Sequence, residues 1–159
     1  MIEIKGLQKV EAKLKVLSDL STNTKPLMQT LGTILQNEIE DSFENETSPF
    51  GQRWKTLSQS TLKNKLKKGK SERILRYDGN LADRWLLKTT NTKASVSNNA
   101  SHKGFAYGLV HQFGTAKAGR NRNAKISARP FLPVDKSGKL AKDVKREIKA
   151  EIISFIKNI

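Results

Sequence analysis

The chain contains no cysteine. Disulfide frameworks, thiol nucleophiles and cysteine-based zinc sites are therefore excluded. No run of apolar residues approaches the ~18 that a membrane-spanning helix needs. The first residues, Met1-Ile2-Glu3-Ile4-Lys5-Gly6, lack the apolar stretch of a secretory signal. Aromatic residues make up only 6% of the chain, which predicts a modest core. Charge of one sign is missing over long stretches. From Arg84 to Val134 there are nine basic residues and no acid, whereas no basic residue lies between Lys25 and Arg53.

What is present is a large basic surplus. Thirty Lys and Arg stand against fifteen Asp and Glu, a formal charge of +15 on 159 residues. That length suits a single domain with one core. The surplus suits an anionic partner: nucleic acid, a membrane surface or an acidic protein.

Hydrophobic spacing predicts most of the elements. Ile2 and Ile4 alternate with charged residues as in a short edge strand, and Leu7, Val10, Leu14 and Leu17 recur at helical spacing. A longer helix starts near Pro26, with Thr24 or Lys25 at its cap, and carries the stripe Leu27, Met28, Leu31, Ile34, Leu35, Ile39 and Phe43. Its last turns hold Glu38, Glu40, Asp41, Glu44 and Glu46, and acids there oppose the helix dipole. Two accounts fit: a solvated face compensated elsewhere, or a docking surface for basic groups of this or a neighbouring subunit. Ser58 or Ser60 can cap a short helix through Leu66 that Gly69 ends. The basic stretch around residues 63–73 reads as an exposed, flexible loop. Segments 87–92 and 93–98 read as a β-hairpin bent near Asn91. Residues 105–113 suit a short helix or a strand. Residues 115–127 are rich in Gly, Ala, Arg and Asn and read as a second flexible basic loop. Pro130 and Pro133 bar a central strand from the segment between them. A last helix spans about 139–157.

Catalysis finds little support. Only His102 and His111 offer ordinary bases for chemistry near neutral pH, and they have no ligand-like spacing. No phosphate-binding loop pattern is present. We therefore expect no enzyme activity, no catalytic residue, no metal and no cofactor. A nucleic-acid-binding module signature is also lacking, so DNA contact, if made, is non-specific. Phe105, Tyr107 and Phe113 sit in an apolar stretch better suited to packing than to stacking on bases. The segregated charge suits head-to-tail contacts between copies.

Three ordered segments carry more information. They are Ser48-Pro49-Phe50-Gly51-Gln52-Arg53-Trp54-Lys55-Thr56-Leu57-Ser58, then Ile74-Leu75-Arg76-Tyr77-Asp78-Gly79-Asn80-Leu81, then Ala106-Tyr107-Gly108-Leu109-Val110-His111-Gln112-Phe113-Gly114-Thr115 followed by Ala128-Arg129-Pro130-Phe131-Leu132. The series resembles the phage virion morphogenesis family, the tail-completion proteins of Mu-like and P2-like phages and prophages. Its third segment is also similar to head–tail neck proteins of long-tailed phages. The resemblance implies one α+β domain over residues 1–159: a mostly antiparallel sheet flanked by a long helix in the N-terminal half and a C-terminal helix, with long basic loops. It implies a structural role in tail completion or head–tail joining, and a homo-oligomeric ring, a hexamer, around the DNA channel. The implied partners are other tail or neck proteins and non-specifically contacted DNA, with no membrane. The implied location is the virion, at the tail or head–tail junction, and the host cytoplasm during assembly. The alternative is a non-specific nucleic-acid-binding protein.

Roles follow residue by residue under that resemblance. Trp54, Leu57 and Leu81 are core anchors. Tyr107, His111 and Phe113 place the start of the second basic loop, and Pro130 and Phe131 pin its return. Lys117, Arg120, Arg122 and Lys125 face DNA or an acidic neighbour. Glu38, Asp41, Glu44 and Arg129 are subunit-contact candidates, with Arg129 making a charge-assisted bond to an acid of its own or an adjacent subunit.

Overall fold

The computed structural model describes residues 23–158, together with Lys15 and Ser18. The strand expected at Ile2 and Ile4 and the helix expected over Leu7–Leu17 lie outside the described residues, Lys15 excepted. Residues 23–158 form four helices and two antiparallel strand pairs: α1 (Lys25–Asn45), α2 (Gln59–Lys67), β1 (Leu86–Thr89), β2 (Ala94–Ser97), α3 (Tyr107–Phe113), β3 (Thr115–Ala118), β4 (Ala124–Ile126) and α4 (Lys142–Lys157). The fold is α+β, and its antiparallel pairing is divided between two two-stranded sheets.

Helix α1 is the spine. Pro26 sits in its first turn and Thr24 at its N-cap. The Thr24 hydroxyl bonds the Asn91 carbonyl, at the bend of the β1–β2 hairpin, and makes no bond to its own helix. The hairpin lies across α1 in the register Leu86–Ser97 to Thr89–Ala94. Close approach is possible because Gly32 faces it: a β-carbon there would stand 2.3 Å from Leu87 Cδ1. Helix α4 packs against α1 as well. It begins at Lys142, three residues later than its periodicity suggests. Asp135–Lys139 forms a turn closed by a Val134–Leu140 bridge, and this withholds Lys139 from the helix.

The acids at the end of α1 are compensated by residues far away in sequence. Arg73 donates to the Phe43 carbonyl at 3.1 Å, to the Glu44 carbonyl, and to the Glu44 carboxylate at 2.8 Å. Arg76 also pairs with Glu44, and Glu46 accepts from the Ile74 amide at 2.7 Å. Two cations at a helix C-terminus offset the dipole that its own acids oppose. These bonds, the Arg73 one first, hold the Glu44 carboxyl below its ordinary range.

The stretch read as a flexible basic loop at 63–73 is therefore engaged. Its first five residues are the last turns of α2, which Ser58 caps through the Thr61 amide. Lys65 is buried and donates to the Arg73 and Arg76 carbonyls at 2.5 and 2.9 Å. Burial lowers its pKa, against the pull of Glu46. Lys70 pairs with Asp78.

The core gathers where these pieces meet. Ile39 and Phe43 of α1, Trp54, Ile74, Leu81, Ala82 and Phe131 are buried together. Trp54 returns to the core after a tight turn over Ser48–Gln52, with its ring edge-on to Phe43 at 5.5 Å and its indole N–H on the Pro130 carbonyl at 2.8 Å. Asn98 gathers the carbonyls of Asn80, Leu81 and Arg84, which fixes the turn that carries Leu81.

Candidate functional site

Helix α3 is short, and its burial pattern is inverted. Leu109 is 59% exposed, while Gln112 is 2% exposed. The Gln112 amide explains the inversion. Its Oε1 accepts from the Phe131 and Leu132 amides, both at 2.9 Å, and its Nε2 donates to the Leu132 and Val134 carbonyls, both at 3.2 Å. The Arg129 amide donates to the His111 carbonyl at 2.7 Å. A segment that two prolines keep out of a sheet thus gets its hydrogen bonds from α3.

This pairing places the chain on either side of a basic hairpin. Residues 115–127 do not form an open loop: β3 and β4 pair antiparallel with a bulge, Thr115 opposite Ile126 and Ala118 opposite Ala124. Short β-compatible ends and the Gly119–Arg122 turn allow the pairing. Lys117, Arg120, Arg122 and Lys125 are all exposed on it, and no carboxylate lies within ion-pair reach of them among the described residues.

Gly114 joins α3 to that hairpin at φ 69° and ψ 169°, a region that only glycine occupies readily. A β-carbon there would lie 2.8 Å from the Ala128 nitrogen and 3.0 Å from the Ile126 oxygen, both backbone atoms. We expect Gly114→Ala to destabilise the domain by about 1–3 kcal/mol through backbone strain alone. A urea titration with an unchanged midpoint would rule out that strain.

Beside the hairpin lies a groove of about 770 Å3, bounded by residues 55–61, the 75–81 turn, α3 and residues 125–129. Leu57, Leu81 and Tyr107 give it apolar lining, and Lys55, Lys125 and Arg129 give it positive charge. Arg129 is half-buried, and its Nε donates to the Lys55 carbonyl at 3.0 Å. The expected bond from Arg129 to a carboxylate of its own chain is not made among the described residues; a carbonyl takes its place. Burial lowers the guanidinium pKa, and Glu46 opposes that shift.

His111 lines the same groove, edge-on to Tyr107 at 6.3 Å, and its buried Nδ1 has no hydrogen-bond partner among the described residues. Burial, and then the Arg129 charge, push its pKa below the ordinary value. The unfolded chain therefore takes up this proton first. Stability should fall as pH drops through about 6.5, and His111→Gln should reduce that loss. Melting temperatures of both proteins from pH 7.5 to 5 provide the check; equal slopes would refute the assignment.

The remaining candidates divide among different places. Trp54, Leu81 and Phe131 are buried; Leu57, Tyr107, Phe113 and Pro130 are half-buried. Phe113 and Pro130 line a smaller apolar pocket of about 340 Å3 with Phe50. Glu44 is occupied by Arg73 and Arg76. Glu38 and Asp41 make no ion pair among the described residues. Burial, then the charges of Asp41, Glu147 and Asp143, raise the Glu38 pKa. Among the described residues no cluster of three or more His, Asp or Glu could hold a metal ion, and no helix is long and apolar enough to cross a membrane.

Comparison with known proteins is consistent with this arrangement. The phage virion morphogenesis family model matches residues 5–154. The Mu-like prophage FluMu G protein 2 of Haemophilus influenzae is 30% identical over 137 residues, covering 82% of this chain and 81% of that protein. An uncharacterized protein of Methanocaldococcus jannaschii is 29% identical over 112 residues, covering 68% of this chain and 75% of its own length. No solved structure matches. A family match over nearly the whole chain, with a prophage relative that shares its span, leads to one conclusion: the chain belongs to the phage virion morphogenesis family.

Proposed function

We propose that this chain completes the phage tail or joins it to the DNA-filled head, as a homo-oligomeric ring around the DNA channel. Family membership gives the role in virion morphogenesis. The observation that carries the finer reading is the β3–β4 hairpin, whose four exposed cations have no carboxylate partner among the described residues. A positive surface turned toward a DNA channel, or toward an acidic neighbour in the tail or neck, uses that charge. The role is structural and needs no catalytic group, metal or cofactor.

The test is electron microscopy of particles from an induced lysogen lacking the gene. Filled heads beside unattached tails, or tails of abnormal length, would support the reading. Normal infectious virions would reject it.

The acid-free basic hairpin also favours a second reading, non-specific nucleic-acid binding. Alanine at Lys117, Arg120, Arg122 and Lys125 separates the two. Each phosphate that is no longer neutralised by a cation reduces the slope of log affinity against log salt by about 0.9. Tight binding at physiological salt, with a steep slope that the variant flattens, would favour the second reading. Binding near ~10⁻⁴ M is ordinary non-specific attraction. For the ring we expect weak free DNA binding and a loss of virion yield in the variant.

A further inference from the structure

Two surfaces of opposite charge are largely without ion-pair partners among the described residues. One is the groove beside α3. Lys55, Lys125 and Arg129 on its walls pair with no carboxylate among the described residues, and its acid, Asp78, is already held by Lys70. The half-buried Arg129 gives its Nε to a carbonyl, and the buried His111 Nδ1 has no hydrogen-bond partner among the described residues. A half-buried guanidinium with no ion pair among the described residues is a poor end state, because burial removes water and the Glu46 charge offsets that loss only in part.

The other surface is formed where α1 packs on α4. Glu38 and Asp41 stand a turn apart on α1, Asp143 and Glu147 stand a turn apart on α4, and the two helices pack together; the charges of the other three all act on Glu38. Among the described residues only Asp143 of these has a cation within ion-pair reach, the exposed Arg146 at 3.0 Å. The acids nearer the end of α1 are not available in the same way, since Arg73 and Arg76 hold Glu44. Among the described residues the fold thus pairs Glu44 at the end of α1 and leaves Glu38 and Asp41 without an ion pair.

We infer that the acidic α1–α4 face of one copy seats in the groove of the next, bringing Asp41 and its neighbours against Lys55, Lys125 and Arg129. This inference rests on the ring reading and names its subunit contact. Unlike patches make a heterologous contact, which repeats head to tail and closes when the rotation allows. The apolar lining supplies contact area, and the opposed charges set register and orientation.

The absence of cysteine gives a direct test. Full-length protein carrying both Asp41→Cys and Lys125→Cys, treated with a short bismaleimide, is expected to give a ladder of linked oligomers. Mixing the two single-cysteine variants is expected to give a dimer, and each alone no product. A dimer from one single variant alone would mean like faces meet, and would overturn the inference. Lys125→Glu is expected to weaken assembly roughly tenfold, with Asp41→Lys in the same chain restoring it; no restoration would overturn it. If light scattering finds oligomers of the unmodified chain but no links form, the contact falls and the ring stands. If the chain is monomeric both free and in particles, both fall. If a DNA duplex shields the Lys125→Cys thiol and no protein links form, the groove takes nucleic acid and the inference is overturned.

Discussion

Replacing Phe131 by alanine is expected to destabilise the domain by about 3–5 kcal/mol and to lower its melting temperature by roughly 10 °C. Phe131 is 2% exposed. Its ring lies 5.1 Å from that of Phe43 and 5.8 Å from that of Trp85. Phe43 in turn meets Trp54, whose indole N–H bonds the Pro130 carbonyl one residue before Phe131. The side chain thus joins α1, the 48–54 turn and the 129–134 segment in one aromatic cluster. Alanine leaves a cavity that Phe43 and Trp85 border but cannot easily refill, because their positions are set from different elements. Phe131→Leu retains most of the volume and should cost much less. Thermal unfolding of both variants provides the measurement. An unchanged melting temperature for the alanine variant would mean that the cluster does not hold these elements together.

The elements with strong periodicity are legible in the sequence. The stripe from Leu27 to Phe43 and the stripe from Leu140 to Phe155 mark α1 and α4 because a 3.6-residue repeat of large apolar side chains has few other solutions, although Leu140 itself is taken by the bridge to Val134 ahead of α4. Ser58 and the residues after it mark α2, and the Thr, Val and Ser runs mark the β1–β2 hairpin. What escapes such reading is long-range polar chemistry. Arg73 caps α1 from 29 residues away, so nothing near Glu44 announces it. The basic run at 63–73 looks solvated because charge runs usually are, yet Lys65 is buried on two carbonyls. The 115–127 segment reads as a loop by composition, and its pairing depends on Gly114 and on α3, which fix both its ends. For the candidate site, the basic residues themselves are visible. Their division into a groove and a separate hairpin face is not, because it depends on where Arg129 is drawn when its amide bonds His111.

Gln112 is the residue whose importance the sequence conceals most, and its loss should rival that of Phe131. Periodicity favours Leu109 as the inward residue of α3, yet Gln112 is the one inside. The available signal is indirect. The segment Ala128 to Val134 contains two prolines, has no β pairing among the described residues beyond the Val134–Leu140 bridge, and must still satisfy its backbone. Gln112→Leu removes four hydrogen bonds at once, leaving the Phe131 and Leu132 amides and the Leu132 and Val134 carbonyls without this partner. Each buried orphan costs about 1–3 kcal/mol. Local relaxation and water penetration keep the total to about 3–5 kcal/mol. Gln112→Glu separates lost hydrogen bonding from lost packing. Its carboxylate can still accept from both amides, but it faces two carbonyls that require a donor. The charged form is disfavoured in the fold, so the folded pKa rises above about 4.3. The native state then binds more protons than the unfolded chain, and the variant's stability should fall as pH rises above that value. This is opposite in sign to the trend expected from His111. A glutamate variant as stable as the parent at pH 7, or a leucine variant within about 1 kcal/mol of it, would mean that the 129–134 segment is held by the aromatic cluster alone. The expected result is that both fail at neutral pH, and that the placement of Arg129 and the β3–β4 hairpin fails with them.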